Sequence, residues 1–175
     1  MYSRELKIPD GVEIKVEGTN VEVNGPKGKV ERKFVITGDI KIKKEGNLIK
    51  VFSESDRRKV KALIGTIIAH IKNAINGVTK GYIYKLKVVY SHFPITVKVE
   101  GDKVLIQNFL GERTPRIAKI VGSAKVEVKG PEITVSGIDK EEVGQTAGNI
   151  ERACRIVGKD RRRFMDGIWI VKKGE

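Results

Sequence analysis

Alternating apolar and polar residues predict most of the elements in this chain. The alternation has a period of two over residues 12–16 and 19–23, with a turn at residues 18–20, and this pattern is typical of a β-hairpin. Similar short runs predict strands over residues 30–36, 40–44, 48–52, 96–99, 104–106, 117–121, 124–128 and 133–135. Residues 81–94 and 167–171, rich in β-branched and aromatic residues, predict two further strands.

Two segments instead carry apolar residues three and four positions apart, which predicts amphipathic helices. The first helix is expected over residues 56–76, capped by Ser53 or Ser55 and ended by Gly77. The second is expected to begin at Asp139, because Asp139 and Glu142 have the spacing of a capping box. Its apolar stripe is Val143, Ala147, Ile150, Cys154 and Val157.

The apolar pattern occurs twice in the chain. The first copy holds Val12, Ile14, Val16, Glu17, Gly18, Val21, Val23 and Gly28, and 83 positions later stand Ile95, Val97, Val99, Glu100, Gly101, Val104, Ile106 and Gly111. A repeat of this length is a domain. We therefore expect an α+β protein of two tandem duplicated domains, residues 1–82 and 83–175, each with small antiparallel sheets and one helix.

Charge indicates the kind of partner. The chain has 35 Lys and Arg against 22 Asp and Glu, a net charge of +13. Residues 1–82 hold 17 basic and 10 acidic residues, and residues 83–175 hold 18 and 12, so both halves are basic. Such a surface attracts polyanions, above all nucleic acid.

Other chemistry finds little support in the sequence. There is no run of about 18 apolar residues and no opening signal peptide, so we expect a cytoplasmic protein without a membrane partner. Cys154 is expected to fill the core. Neither His70 nor His92 has metal-site neighbours. We therefore predict no metal, no cofactor, no small-molecule substrate and no enzymatic activity.

The longest basic run lies in a connector of the second copy, residues 158–166, where nine residues stand against five in the first copy. It contains Lys159 and the consecutive residues Arg161, Arg162 and Arg163. Arginine suits phosphate because its planar fork donates two parallel hydrogen bonds. RNA contact is therefore favoured over a merely solvated run. Phe164 is expected to anchor the connector or to stack on a base, and Asp160 and Asp166 to orient the arginines.

A second basic loop, residues 108–116, replaces the shorter turn Gly25–Lys29 of the first copy. Arg113, Arg116 and the following Lys119 make it a candidate phosphate-binding surface. The shorter turn, with sequence GPKGK, reads equally well as a plain hairpin turn. Neither loop fits a nucleotide-binding fingerprint.

Several motifs, in order, resemble one known family. They are Ile8-Pro9, VEVNGPKG at 21–28, YKLK at 84–87, YSHFPI at 90–95, NFLGE at 108–112 and RFMDGI at 163–168. Together they resemble protein six of the large ribosomal subunit, in its archaeal and eukaryotic branch. The resemblance implies two duplicated α+β domains, each with two small sheets and one helix.

The resemblance also implies a function. It implies binding to large-subunit rRNA near the sarcin–ricin loop and the base of the factor-binding stalk, mainly through the second domain, with ribosomal proteins as neighbours and translation factors nearby. It assigns rRNA contacts to Arg113, Arg116, Lys119, Lys159, Arg161, Arg162, Arg163, Lys172 and Lys173. The alternatives are a general nucleic-acid chaperone and, with less support, a small RNA-modifying enzyme.

Overall fold

The structure is a computed structural model that describes residues 2–36 and 38–174. The chain forms two compact units, Met1–Gly81 and Tyr82–Glu175. Each unit contains two small antiparallel sheets and one helix. The expected α+β fold with a duplicated pattern is confirmed, and the division between the units lies one residue before the predicted one.

In the first unit six strands precede one helix, α1 (Arg58–Thr79). The strands are β1 (Tyr2–Lys7), β2 (Glu13–Glu17), β3 (Asn20–Gly25), β4 (Gly28–Lys33), β5 (Lys41–Glu45) and β6 (Leu48–Ser53). The sheets have the orders β2-β3-β4 and β1-β6-β5. The sequence did not predict β1, because Leu6 and Tyr2 are its only large apolar residues and both are only partly buried. Strand pairing with β6 holds β1 in place.

The second unit repeats this order and adds a strand. Its elements are β7 (Tyr82–Val89), β8 (Thr96–Glu100), β9 (Lys103–Gln107), β10 (Arg116–Lys119), β11 (Lys125–Lys129), β12 (Glu132–Gly137), α2 (Lys140–Ala153) and β13 (Gly167–Lys172). The sheets have the orders β10-β9-β8 and β11-β12-β7-β13. Strand β7 pairs with the strand before α2, as β1 pairs with the strand before α1. The added β13 pairs with the other edge of β7.

Each unit has its own apolar core. On α1 the apolar residues at helical spacing include Ile64, Ile67, Ile71 and Ile75, and these four are buried. In the second unit the residues with at most 1% exposure include Leu86, Val104, Ile106, Phe109, Ile133 and Ile150. Cys154 packs in this core at 4% exposure, as expected, and burial raises the pKa of its thiol to about 11.

The ends of α1 differ from the prediction. Arg57 is the N-cap residue and makes no side-chain capping bond, whereas the Ser53 hydroxyl is buried and accepts from the Ser55 N–H. Gly77 lies buried inside the helix, which continues to Thr79. Gly81, with φ of +81°, takes the left-handed position expected of Gly77, and its N–H donates to Asn76 O.

At α2 the predicted start is correct and the apolar stripe is too long. The Asp139 carboxylate caps the helix by accepting from the Glu141 N–H. The Glu142 carboxylate accepts hydrogen bonds from the backbone and the hydroxyl of Ser123. Val157, predicted to face the core, is 81% exposed, because α2 ends at Ala153 and the helical period does not continue to residue 157.

Candidate nucleic-acid interface

The loop between β9 and β10 is held by a buried aromatic side chain and by left-handed backbone. Phe109 is fully buried within a single turn of 3₁₀ helix, Phe109–Gly111. Asn108 and Leu110 have positive φ angles of 58° and 51°. The Asn108 amide donates to Pro94 O at 3.1 Å. This tight turn leaves residues 112–115 exposed at the surface.

Arg116 closes this loop against the end of α2. Its Nη1 donates to the carbonyl oxygens of Ala153 and Arg155, each at 2.9 Å. Its Nε and Nη2 donate to the two carboxylate oxygens of Glu112, at 2.8 and 2.6 Å. The guanidinium also lies 4.3 Å from the centroid of the Phe109 ring. Four hydrogen bonds to internal acceptors make Arg116 a residue that positions the loop.

The ion pair has matching effects on the two side chains. Hydrogen bonding from Arg116 lowers the pKa of the Glu112 carboxyl, and the same bond raises the pKa of Arg116. Lys159 also lowers the pKa of Glu112 through its charge. The geometric link between the 108–116 loop and the start of the connector is the hydrogen bond from Arg116 to Arg155 O. Arg155, whose carbonyl binds Arg116, is only three residues before the connector begins.

The turn Gly25–Lys29 of the first unit is also attached to the end of its helix, α1. The Lys27 ammonium donates to Lys80 O, and the Lys27 N–H donates to Val78 O at 2.9 Å. Gly25 allows this close approach, because a Cβ there would lie 2.5 Å from the Val78 Cγ2. The interpretation of GPKGK as a hairpin turn, here between β3 and β4, is therefore supported. Lys27 and Arg116 both supply positive charge to helix-end carbonyls that have no partner within the helix.

The connector forms one compact turn that presents its cations outward. The Asp160 carboxylate accepts from the Arg162 N–H at 3.0 Å, and Asp160 O accepts from the N–H groups of Arg163 and Phe164. Asp160 thus fixes the backbone of the turn. The side chains of residues 159–163 are exposed, so the three consecutive arginines are displayed on a formed backbone.

Two hydrogen bonds attach the end of the connector to the unit. Asp166 is 5% exposed and accepts from the Ser91 N–H at 3.4 Å, which joins the connector to the strand-to-turn segment after β7. The Trp169 Nε1 donates to Met165 O at 3.1 Å. Phe164 is 38% exposed, so the prediction that it anchors the connector in the core is wrong. The Lys159 ammonium lies 4.6 Å from the Phe164 ring centroid.

The other predicted basic residues lie in three places: the 108–116 loop, β10 and the end of β13. Arg113 is exposed in the 108–116 loop, which the hydrogen bond from Arg116 to Arg155 O ties to the segment just before the connector. Lys119 is exposed on β10, while Lys172 and Lys173 lie at the end of β13.

Sequence reasoning did not single out Lys85 and Lys87 of β7, which stand opposite Lys172 and Trp169. The alternation in YKLKV, residues 84–88, places both lysines on the face opposite the buried residues, and that pattern is the signal that would have found them.

Metal sites and membrane-spanning helices are the other features that bear on function. Within residues 2–36 and 38–174, no group of three or more His, Cys, Asp or Glu side chains is arranged to hold a metal ion. Over the same ranges, no helix has the length and apolar character needed to cross a membrane.

Comparison with known proteins gives a consistent result across the chain. The family model described as Ribosomal protein L6 matches residues 8–81 and 93–167, one segment in each unit. Large ribosomal subunit protein uL6 of Methanothrix thermoacetophila is 53% identical over 170 residues, covering 97% of this chain and 96% of that protein. The proteins of the same name from Staphylothermus marinus and Aeropyrum pernix are 53% and 51% identical, covering 98% and 96% of this chain and 94% and 92% of their own lengths. With both repeats matched and half of the residues shared along nearly the whole length, the chain belongs to the ribosomal protein L6 family.

Proposed function

We propose that this protein is a structural, non-enzymatic constituent of the large ribosomal subunit in the cytoplasm, where it binds large-subunit rRNA mainly through its second unit. The observation that carries the proposal is the pair of basic loops there, residues 108–116 and 158–166. Their backbones are fixed by internal hydrogen bonds, and the side chains of Arg113 and Arg161–Arg163 are exposed. Family membership and the printed names of the relatives support the assembly.

Phosphate contact is the mode of binding that these loops favour. Arginine donates paired hydrogen bonds to phosphate oxygens, and contacts of this kind fix a protein on RNA without reading its sequence. Because Asp160 already satisfies backbone N–H groups of the turn, little ordering of the connector is needed when RNA binds. Arg113, Lys119, Lys159, Lys172 and Lys173 extend the basic surface, and Arg116 holds the first loop in place.

The dependence of affinity on salt tests this mode directly. If about five to eight phosphates are neutralised, log affinity falls with log salt with a slope of roughly −4 to −7. Replacing Arg161, Arg162 and Arg163 together with Ala should weaken binding to an rRNA fragment and make the slope shallower by about 3. Unchanged affinity would remove the connector from the interface.

A matched variant separates the connector from general charge. Lys41, Lys43 and Lys44 are exposed on β5 of the first unit, so replacing all three with Ala removes the same charge elsewhere. The proposal expects this variant to retain most of the affinity. An equal loss in both variants, together with equal affinity for duplex DNA and structured rRNA at one salt concentration, would favour a general nucleic-acid chaperone.

The location on the ribosome requires a separate experiment. Met165 is 60% exposed in the connector, while Cys154 is buried, so a Met165→Cys variant can be labelled selectively with a hydroxyl-radical-generating iron chelate. We expect rRNA cleavage at the sarcin–ricin loop and the base of the factor-binding stalk, close to neighbouring ribosomal proteins and the site where translation factors act. The same label at a Lys43→Cys position provides the control. Cleavage confined to other rRNA regions would overturn the location.

A further inference from the structure

Trp169 lies on the face of the four-stranded sheet that points away from α2. Its neighbour Ile168 is 1% exposed and pairs with Val88, in the core beneath the sheet. Because side chains alternate along a strand, Trp169 projects to the opposite face, where it stands directly across from Lys87. The β7 residues on that face are all exposed. The indole is therefore at an open surface and is only partly buried.

The orientation of the Trp169 ring is fixed from one edge. Its Nε1 donates to Met165 O at 3.1 Å. Gly167 lies beside the ring, since a Cβ at residue 167 would stand in ordinary van der Waals contact, 3.5 Å from Nε1 and Cε2 of the indole. Phe164, one residue before Met165, is 38% exposed. An aromatic side chain that is already oriented loses little rotational freedom when a flat ligand stacks on it.

A cation lies close to each of the two rings, Trp169 and Phe164. The Arg161 guanidinium carbon lies 5.7 Å from the Trp169 ring centroid, and the Lys159 ammonium lies 4.6 Å from that of Phe164. Lys87 stands across the strand from Trp169. An apolar protein partner would bury the ammonium groups of Lys159 and Lys87, and lysine is depleted from protein interfaces. A nucleotide can satisfy both kinds of group, because its base stacks on an aromatic ring and its phosphate pairs with a cation.

We propose that Trp169 and Phe164 form a stacking platform for an unpaired nucleobase in a bulge or loop of structured RNA. The inference rests on the proposed function for its ligand class, and it adds that unpaired bases are recognised as well as backbone phosphates. Arg161, Lys159 and Lys87 hold the phosphates that flank the stacked base. Unpaired bases are the part of folded RNA that aromatic side chains can reach, since paired bases are stacked within the helix.

Trp169 is the only tryptophan in the chain, so its fluorescence reports on the platform directly. The probes are three RNA hairpins with a common stem: one fully paired, one with a single bulged adenosine, and one with an abasic residue at the bulge. The last two carry the same number of phosphates. The proposal expects the adenosine bulge to bind the full-length protein about 5- to 150-fold more tightly than the abasic bulge. It also expects only the adenosine bulge to quench Trp169.

Paired substitutions separate stacking from folding. Trp169→Leu and Phe164→Leu keep apolar bulk and should reduce the adenosine preference, measured by anisotropy of labelled RNA. Trp169→Phe and Phe164→Tyr keep an aromatic face and should retain it. Equal affinity for the adenosine and abasic bulges, with unchanged fluorescence, would overturn the platform and leave phosphate binding intact. Failure to bind any hairpin or rRNA fragment would overturn the proposed function as well.

Discussion

Arg116 offers the sharpest test of whether a basic residue in this protein holds the fold or holds RNA. An Arg116→Lys substitution keeps the positive charge and most of the aliphatic stem but removes the planar fork. The fork donates four hydrogen bonds, two to carbonyls at the end of α2 and two to Glu112. A lysine ammonium cannot reproduce this geometry from one position. We therefore expect a loss of stability with little change in electrostatic attraction to RNA.

The expected loss follows from these contacts. The two carbonyl bonds are worth about 1 to 1.5 kcal/mol each. The ion pair between Arg116 and Glu112 is partly exposed, since the two side chains are 28% and 41% exposed respectively. Solvent screening therefore reduces its contribution to stability to about 0.5 kcal/mol. Allowing for partial replacement by the ammonium, the free energy of unfolding should fall by about 2 kcal/mol.

Urea unfolding followed by Trp169 fluorescence measures this loss in the second unit, where the only tryptophan lies. The control is Arg113→Lys, because Arg113 is exposed in the same loop and this change should leave the unfolding midpoint unaltered. An Arg116→Lys protein with the wild-type midpoint and greatly weakened rRNA binding would refute the positioning role and make Arg116 an RNA contact.

The pH dependence of the same pair gives a second measurement. The pKa of Glu112 is lowered in the folded protein by the bond from Arg116. Its stabilisation is therefore complete above the unfolded pKa, near 4.5, and is lost as pH falls through the lower folded pKa. Glu112→Gln should flatten this acid limb while changing stability little below it. An unchanged acid limb in the variant would show that other carboxylates account for the pH dependence.

Three further substitutions or treatments test the packing of the units. Gly25→Ala should destabilise the first unit by about 1–3 kcal/mol in thermal unfolding, because its Cβ would lie 2.5 Å from a methyl carbon of Val78; a wild-type melting temperature would contradict the close approach. Asp139→Ala removes the cap bond to Glu141 and should cost about 1 kcal/mol, with Asp139→Asn as the variant that keeps most of it. Cys154, with a pKa raised to about 11, should react with thiol reagents at pH 8 only after urea unfolding, and rapid reaction of the native protein would contradict its burial.

Periodicity predicted the elements that depend on burial and missed those that depend on pairing. Strands such as β3 and β12 alternate strongly because one face of each is buried. No residue of β1 is fully buried, and the strand is held by its pairing with β6, which the periodicity of its own sequence does not reveal. Val157 shows the opposite error, since an apolar residue at helical spacing lies beyond the end of the helix.

For the candidate interface, residue type alone did not separate structural cations from exposed ones. Arg116 and Arg113 lie three positions apart in one basic loop, yet only Arg116 reaches the carbonyls at the end of α2. That distinction depends on the distance between a loop and a helix end, which the sequence does not contain. The connector was found because the two copies differ in length there, and comparison within the chain exposed that difference.

The lysine and arginine that cap the two helix ends also bear on how a duplicated protein diverges. In the first unit, a turn of Pro26 and Lys27 is fully occupied by its attachment to α1. In the second, the attachment uses Phe109 and Arg116, and residues 113–115 between them are exposed. Substitutions at those three exposed positions are therefore expected to cost little stability. A loop held at both of its ends therefore leaves an exposed segment between them, whose side chains can contact a partner without disturbing the core.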